Sequence, residues 1–418
     1  MDFIDHAATV LRMFEIEPRP LDRLLDSHLR DHPEINSRQR RLISRAVYGV
    51  SRWRRRIDGC LKLAGVSAPD NRLRAQAFLR WRPCKDFDAL SGGLSPAPEL
   101  DGLNVDAVDL KGFPGGDAAY FSYPDFLFDM IKREYGAEGA REIALVLNEP
   151  IGPTLRVNLL RATRDEVIGM LKEEGVEATP AKRSPFGIRL SIRSNFRDLK
   201  SFREGFFEVQ DEASQLASIL ADPSPGQVVL DACSGAGGKA LALAMLMRDQ
   251  GEITACDIDG RKLKELARRA ERAKVKSIRT MDAASLSKLR ASFDLVFIDA
   301  PCSGVGTQRR SPDIRWRLDK GAIDERVRQQ KKILRENALR VKPGGSLLYA
   351  TCSILREENE DVVADFLKDG GFEVSNAGAI FEKQGIACGG IVTREGYLKT
   401  DPRLGDWDGF FAALMRRG

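Results

Sequence analysis

Residues 228–239 read VVLDACSGAGGK, an apolar run that ends at an acidic residue and is followed by a glycine-rich turn. Four more short apolar runs follow: ITACD at 253–257, IRTMDA at 278–283, FDLVFIDAPC at 293–302 and GSLLYATCS at 345–353. Helical patterns separate most of these runs, and the clearest, at 261–273, has leucines and alanines on one face. Because alternating strands and helices are typical of α/β proteins, the sequence predicts a doubly wound, mostly parallel sheet from residue 201 onward.

The residues that follow each strand are the candidates for a binding site, because open α/β sheets bind ligands beyond the carboxyl ends of their strands. The turn at 233–239 is rich in glycine, which lets backbone amides at a helix N-terminus approach a ligand. Its spacing matches neither GxGxxG nor GxxxxGK[ST]. The next strands end at Asp257, suited to ribose hydroxyls, and Asp282, suited to an adenine edge. This order indicates an adenosyl-type ligand, although each acid alone is equally well explained as a helix cap or turn former.

Two cysteines follow the fourth and fifth predicted strands, Cys302 in the run DAPCSG that begins at Asp299, and Cys352 in TCS. A single thiol at a strand end is usually a small buried hydrophobic group. Two thiols in similar turns on neighbouring strands, which lie about 4.8 Å apart, can meet over one pocket. A disulfide is the alternative, and a reducing compartment disfavours it. The pair therefore predicts a reactive site at this edge of the sheet.

The pattern changes along the 418 residues, which are too many for one hydrophobic core. We predict an all-helical domain at 1–85, a linker or ordered irregular crossing at 86–117, a small α+β module at 118–200 and the α/β domain at 201–418. Glycine, proline and serine interrupt every periodic pattern in the second of these segments. The α+β module combines helical patterns with strand-like pieces, the helices at 125–135 and 164–174 and the strands at 154–158 and 188–192.

Basic residues are concentrated in two places, although the net charge of +5 favours an anionic partner only weakly. The first is 38–56, where arginines surround Tyr48 and Trp53 and suit an RNA-facing surface. The alternative is a helix with a buried apolar face and solvated arginines, the apolar positions being Leu42, Ile43, Ala46, Val47 and Val50. The second cluster follows DAPCSG and either contacts an RNA strand or forms a solvated loop; it comprises Arg309, Arg310, Arg315 and Trp316.

The cysteine and histidine positions limit the chemistry. Seven scattered cysteines without CxxC spacing favour reduced thiols over a disulfide framework or zinc site, so we expect no metal. All three histidines lie in the first 32 residues, which excludes histidine-based hydrolysis in the C-terminal half. The N-terminus lacks the pattern of a signal peptide, and the apolar run at 240–247 is too short to span a bilayer. We expect a cytoplasmic, monomeric protein.

Seven stretches resemble motifs of the cytosine-5 RNA methyltransferases of the RsmB/Sun (Fmu) and Nop2 group, over roughly residues 120–418. They are YPDFL at 123–127, LRVN at 155–158, VQDEASQL at 209–216, DACSGAGGK at 231–239, FDLVFIDAPCSGVG at 293–306, LLYATCS at 347–353 and DGFFAALMR at 408–416. The paired PCS and TCS motifs are highly specific. The first 85 residues resemble the NusB-like RNA-binding domain of the ribosomal-RNA branch, most closely in AVYGVSRWRRRID at 46–58.

The resemblance implies a Rossmann-like domain that methylates carbon 5 of a cytosine in RNA through a covalent cysteine–cytosine intermediate. It makes Cys352 the nucleophile and Cys302 the base that helps to free the product. Asp299 would bridge the cofactor and the cytosine ring, and Lys239 would orient Asp299. The S-adenosylmethionine pocket would be lined by Cys233, Ser234, Gly235, Ala236, Gly237, Gly238, Lys239, Asp257, Asp282 and Asp299.

One loop departs from the family pattern, because Ser234-Gly235-Ala236 replaces the usual Ala-Ala-Pro. The added glycine predicts a more flexible loop and weaker cofactor binding. Small-subunit ribosomal RNA is the expected substrate, on the N-terminal resemblance, with transfer RNA as the alternative. Two other classes are a non-catalytic RNA-binding assembly factor, which would not need both cysteines, and an N-methyltransferase, which usually carries [DN]-PP-[YFW] where this chain has DAPC. A nicotinamide dehydrogenase would need a different glycine spacing.

Overall fold

The structure is a computed structural model that describes residues 2–191, 196–286 and 288–418. It forms two compact units, one of Met1–Pro150 with Thr307–Lys320 and the other of Ile151–Gly306 with Gly321–Gly418. Ile192, the end of one predicted strand, lies outside the described residues. The boundaries predicted at 85, 117 and 200 stay predictions, because units of packed residues need not coincide with sequence domains.

The first unit is built from helices, as predicted for its N-terminal part. In order they are α1 Phe3–Ile16, α2 Leu21–Asp31, α3 Ser37–Leu63, α4 Asn71–Trp81, α5 Lys85–Leu90, α6 Gly116–Tyr120 and α7 Asp125–Asn148. Asp2 starts α1 by accepting hydrogen bonds from the backbone N–H groups of Ile4 and Asp5, and Asn36 caps α3 in the same way through Gln39. The described residues of this unit contain no β-strand.

The core of the first unit is centred on α3. The five apolar positions named above, from Leu42 to Val50, are each at most 1% exposed, so the helix does bury this face. Gly49 lies so close to α4 that an added Cβ would fall 2.0 Å from a ring carbon of Phe78. In the segment 86–117, Phe87 and Leu100 pack into the same core, which favours the ordered crossing over a loose linker.

The second unit contains a small antiparallel sheet with strand order β2-β3-β1-β4. Its strands are β1 Thr154–Val157, β2 Ala178–Pro180, β3 Gly187–Leu190 and β4 Phe207–Val209. Three helices accompany it, α8 Arg164–Glu173, α9 Lys200–Arg203 and α10 Glu212–Leu220. The α+β pattern predicted for this stretch is confirmed.

The second sheet of this unit has the order β10-β12-β9-β8-β5-β6-β7, with β11 paired to β12. Its strands are β5 Val228–Asp231, β6 Glu252–Cys256, β7 Ile278–Met281, β8 Phe293–Asp299, β9 Val341–Thr351, β10 Phe372–Val374, β11 Leu398–Thr400 and β12 Phe410–Arg417. The helices are α11 Gly238–Leu246, α12 Gly260–Ala273, α13 Ala283–Leu286, α14 Lys320–Ala338, α15 Glu360–Leu367 and α16 Ala377–Lys383.

The five strands β5 to β9 are parallel, which confirms the predicted doubly wound sheet, whereas β12 is antiparallel to β9. The strand order reverses beside β5, which lies between β6 and β8. Ligands of such sheets bind in the crevice at this reversal, so a binding site is expected at the C-terminal ends of β5 and β8. Among the described residues, no helix combines the length and apolarity needed to cross a membrane.

Candidate active site

The two cysteines that follow β8 and β9 lie side by side. These strands are parallel neighbours in which Asp299 is paired with Ala350, so the turns after them begin at the same level. The Sγ atoms of Cys302 and Cys352 are 3.3 Å apart and both side chains are half-buried. This separation exceeds the S–S bond length of about 2.05 Å, so both are free thiols. The structure therefore brings the two thiols together at the edge of the sheet.

The proximity of the thiols affects their ionisation. The pKa of Cys302 is raised well above its usual value, first by its hydrogen bond with Cys352 and then by burial and the negative charges of Cys352, Glu358 and Asp299. Cys302 therefore keeps its proton at neutral pH and can donate it to the neighbouring sulfur.

A lysine–aspartate pair lies next to the thiols. Lys239, in the first turn of α11, places its Nζ 2.5 Å from Oδ2 of Asp299, the last residue of β8. Burial alone would lower the pKa of Lys239, but the charge and hydrogen bond of Asp299, together with the charge of Cys352, raise it overall. Lys239 is therefore a fixed positive charge beside Asp299 and Cys352.

The glycine-rich turn between β5 and α11 is tied to the neighbouring elements. Gly237 has φ of 85°, and a Cβ there would lie 2.4 Å from Cγ of Leu266 in α12, so only glycine fits. The N–H of Gly235 donates to Asp257 Oδ2 at 2.9 Å, and Arg269 donates to the carbonyl of Ala236 at 2.7 Å. The looser loop expected from its Ser-Gly-Ala sequence stays a prediction.

The two predicted ligand acids lie at the ends of adjacent strands. Asp257 follows β6, and Asp282 follows β7 and is exposed. Asp282 caps α13 by accepting from the N–H and hydroxyl of Ser285, and the backbone hydrogen bond lowers its pKa. The pKa of Cys256 is raised to about 11, first by burial and then by the negative charges of Asp257 and Asp282. The cap explains the conformation of Asp282 and leaves its role in ligand binding a prediction.

Asp231, at the end of β5, was not among the predicted site residues. It is fully buried, and its pKa is raised to about 7 by burial first and then by the charges of Asp299 and Asp257, against the opposing effect of Lys239. Its position at the end of a strand, just before the glycine-rich turn, is the sequence signal that could have identified it.

Three polar side chains that the sequence analysis missed hold the cysteine turns in place. Glu358 is fully buried and accepts from the N–H of Ser303 at 2.7 Å and from Gln330 at 3.0 Å. Gln330, in α14, also donates to the carbonyl of Pro301 at 3.0 Å. Asn359 donates to the carbonyl of Ser353 at 2.9 Å. No spacing in the sequence indicated the contacts of Glu358 with Ser303 or of Gln330 with Pro301, because these partners are 55 and 29 positions apart in the chain.

The small sheet supports the glycine-rich turn between β5 and α11. Arg156 of β1 is buried and donates to the carbonyl of Gly238 and to Gln210. Burial lowers the pKa of Arg156 to about 10, still high enough for a positive charge at neutral pH. Asn158 donates to the carbonyls of Gly205 at 3.0 Å and Ala273 at 2.9 Å. These contacts give the LRVN and VQDEASQL stretches a positioning role.

In the second basic cluster, Arg315 and Trp316 make contacts that neither of the two interpretations predicted. Arg315 is fully buried in the first unit, where it donates to the carbonyl of Ser122 at 3.1 Å and to Asn148 Oδ1 at 2.7 Å. Trp316 Nε1 donates to the carbonyl of Ser51 at 2.6 Å. In the first cluster, Arg52 is buried too and donates to the carbonyls of Gln308 and Arg309. The two buried arginines, Arg52 and Arg315, bind protein groups, so their guanidinium groups are not available to solvent or RNA.

Comparison with known proteins gives consistent matches. Residues 218–416 match the family described as 16S rRNA methyltransferase RsmB/F, and residues 123–196 match the ferredoxin-like domain of RsmF/B-like methyltransferases. A probable ribosomal RNA small subunit methyltransferase B of Synechocystis is 30% identical over 397 residues, 87% of this chain and 88% of that protein. The Bacillus subtilis protein described in the same words is 33% identical over 71% of this chain and 66% of its own length.

Two crystal structures are similar in fold over most of their length. PH0851 is 28% identical with a TM-score of 0.79, covering 99% of this chain and 98% of that one. A methyltransferase homolog from Pyrococcus horikoshii is 25% identical with a TM-score of 0.63, covering 72% of this chain and 98% of its own.

Proposed function

Because this chain belongs to the RsmB/F family of methyltransferases, we propose that it methylates carbon 5 of a cytosine in small-subunit ribosomal RNA through a cysteine adduct. The observation that carries the proposal is the pair of free thiols 3.3 Å apart beside the Lys239–Asp299 ion pair. A methyltransferase that modifies a ring nitrogen of the base would not need a thiol nucleophile, because that nitrogen itself attacks the methyl group. An enzyme of this kind would act in the cytoplasm, where ribosomal RNA is modified and thiols stay reduced.

The cofactor we propose is S-adenosylmethionine, which supplies an electrophilic methyl group when bound. The pocket is formed by residues 233–239 with Asp257, Asp282 and Asp299. The requirement for glycine at position 237, which brings the turn close to α12, fits a loop whose backbone contacts a ligand. Asp257 already orders that loop, because its Oδ2 accepts from the N–H of Gly235 and its Oδ1 accepts from the N–H of Asp259.

Carbon 5 of cytosine is a poor nucleophile and needs activation. The Cys352 thiolate adds to carbon 6, which forms a C–S bond and moves the ring electrons toward carbon 5 and N3. The positive charge of Lys239 favours the thiolate. Asp299, held 2.5 Å from Lys239 Nζ, donates a hydrogen bond to N3 in its carboxylic acid form as the ring gains electrons, while Lys239 keeps its own proton. Carbon 5 thereby becomes able to accept the methyl group.

The product is released by the second thiol. After methylation, carbon 5 carries a proton that must leave before the C–S bond breaks. In the free protein, Cys352 raises the pKa of Cys302. Once the Cys352 sulfur is bonded to carbon 6 its charge is gone, so Cys302 ionises more easily and can remove this proton. The electrons of the broken C–H bond re-form the ring double bond and expel the Cys352 thiolate.

Single cysteine variants test this division of roles. Cys302→Ala should accumulate a protein–RNA adduct that survives a denaturing gel, whereas Cys352→Ala should form neither adduct nor 5-methylcytosine. Cys388→Ala, at another half-buried free thiol of the same unit, is the matched control and should turn over normally. Normal turnover by Cys352→Ala would contradict the proposal.

The substrate is tested separately. Purified protein with radiolabelled S-adenosylmethionine should label small-subunit ribosomal RNA and not transfer RNA. Bisulfite sequencing of RNA from a deletion strain should show one ribosomal cytosine that has become sensitive to bisulfite conversion because it is no longer methylated. If transfer RNA alone were labelled, the proposed substrate would be wrong and the proposed cysteine mechanism would still hold. No labelling of either RNA would favour a non-catalytic assembly factor.

A further inference from the structure

The three histidines of this chain converge in the first unit. His6 lies on α1, His28 lies on α2, and His32 directly follows α2. One ring nitrogen from each lies within 4.8 Å of the corresponding nitrogens of the other two. His28 and His32 are four positions apart, which places them on one face at the end of the helix. The whole imidazole content of 418 residues is thus gathered at one place.

The spacing of these nitrogens is close to that of a metal site. Tetrahedral zinc with Zn–N bonds of about 2.0–2.1 Å separates its ligand nitrogens by about 3.3–3.4 Å. Nδ1 of His6 and Nε2 of His28 are 3.0 Å apart, so an ion between them requires a shift of only a few tenths of an ångström. The third ring has its centroid 4.5 Å from that of His28 and 4.9 Å from that of His6.

The remaining nitrogen of the third ring has the partner that a metal-bound histidine usually has. Nδ1 of His32 lies 2.9 Å from Oε1 of Glu34, which leaves Nε2 of His32 for the ion. A carboxylate that accepts from the outer nitrogen fixes the ring orientation and increases its basicity.

We propose that His6, His28 and His32 bind one divalent transition metal ion, with Zn²⁺ as the best fit and a water molecule in the fourth position. Three imidazoles suit Zn²⁺ and its first-row neighbours and suit Mg²⁺ or Ca²⁺ poorly. The ion joins α1 to the end of α2, so its role is to stabilise the helical unit. This replaces the expectation of no metal, which was drawn from the cysteine spacing.

Metal titration of the full-length protein tests the site. After dialysis against a chelator, the protein should bind one Co²⁺ with the visible absorption of a tetrahedral nitrogen site, and Zn²⁺ should displace it. Added Zn²⁺ should raise the melting temperature. His32→Ala is the informative variant because His32 is only half-buried, so the helices can fold without it.

We expect His32→Ala to bind Co²⁺ and Zn²⁺ at least tenfold more weakly and to lose the rise in melting temperature. Glu34→Gln should weaken binding by a smaller factor, because it changes only the outer contact of His32. Arg30→Ala, at an exposed position in the last turn of α2, is the matched control and should bind as the unchanged protein does. Equal affinity in His32→Ala and the unchanged protein would overturn the proposal. Circular dichroism of metal-free His32→Ala verifies that the variant is folded.

Discussion

At the scale of single residues, the candidate site contains an ion pair and also a buried carboxyl group that is close to other negative charges. Lys239 and Asp299 form an ion pair, and the charges of Asp299 and Cys352 raise the pKa of Lys239. Asp231 is fully buried among Asp299 and Asp257, so an additional negative charge there is unfavourable. The site therefore carries an electrostatic cost to stability, as functional sites often do.

The buried carboxyl of Asp231 predicts a pH-dependent stability. Its pKa is about 7 in the folded protein, and an unfolded aspartate has a pKa of about 3.9. Between these values the folded state holds a proton that the unfolded state has lost, so the free energy of unfolding falls as pH rises from about 4 to about 7. Asp231→Asn removes this decrease in the free energy of unfolding. The decrease is at most about 1.4 kcal/mol for each unit by which the folded and unfolded pKa values differ.

Urea unfolding of the ligand-free protein at pH 5, 6, 7 and 8 measures this effect. Asp231→Asn should gain stability relative to the unchanged protein as pH rises, and the gain should level off above pH 7. Asp165→Asn, at an exposed carboxyl of the same unit, is the control and should follow the unchanged protein. Parallel pH profiles for the unchanged protein and Asp231→Asn would refute the prediction.

At the scale of elements, two close approaches define how helices pack. Gly237 lets the turn before α11 approach Leu266 of α12, and Gly49 lets α3 approach Phe78 of α4. In both places a side chain would fill space that a neighbouring side chain already occupies. Helices that pack this closely gain dispersion contacts at the cost of accepting only glycine.

Gly49→Ala tests the packing of α3 on α4. The added Cβ would lie 2.0 Å from Phe78, so either the ring or the helix must move, which should cost about 1–3 kcal/mol. Gly169→Ala is the control, because Gly169 is exposed within α8 and a Cβ there meets nothing within 4 Å. Alanine at that position should stabilise by about 0.5–1 kcal/mol. Thermal unfolding of both variants should therefore show shifts of opposite sign, and an unchanged Gly49→Ala would contradict the packing.

At the scale of the whole molecule, the first unit is discontinuous in the chain. Residues 307–320, which follow the DAPCSG turn in sequence, are part of this unit. They contribute the fully buried Arg315 and the nearly buried Asp313, which accepts from the N–H of Leu21. They also contribute backbone carbonyls to Arg52. A unit that depends on these contacts is incomplete without the later segment.

A fragment of residues 1–150 should therefore be less stable than the same unit in the full chain. Without Arg315, the carbonyl of Ser122 and the side chain of Asn148 lose a donor inside the protein, and buried polar groups without partners are costly. A synthetic peptide of residues 307–320 added to the fragment should raise its melting temperature, measured by circular dichroism. The same peptide with Arg315→Ala should have a smaller effect. A fragment that melts as high alone as with the peptide would contradict this.

The sequence by itself determined the elements and the order of the motifs. The runs from VVLDAC to GSLLYATCS formed the five parallel strands as predicted, because an apolar run between turn residues is recognisable locally. The family and the Rossmann-like fold followed from the motifs, and the structural relatives confirm both. The apolar face of α3 was also among the alternatives that periodicity offered.

Only the tertiary structure decided which distant residues meet. Strand order places β8 beside β9 and so brings two sulfurs fifty positions apart to 3.3 Å, a distance that no spacing rule contains. The packing of α1 on α2 gathers His6 with His28 and His32, and the folding back of residues 307–320 buries Arg315. Periodicity shows which face of a helix or strand is apolar. What packs against that face depends on how the whole chain folds. Charged residues were hardest to place for this reason, since an arginine suits solvent, RNA or a buried carbonyl equally well until its neighbours are known.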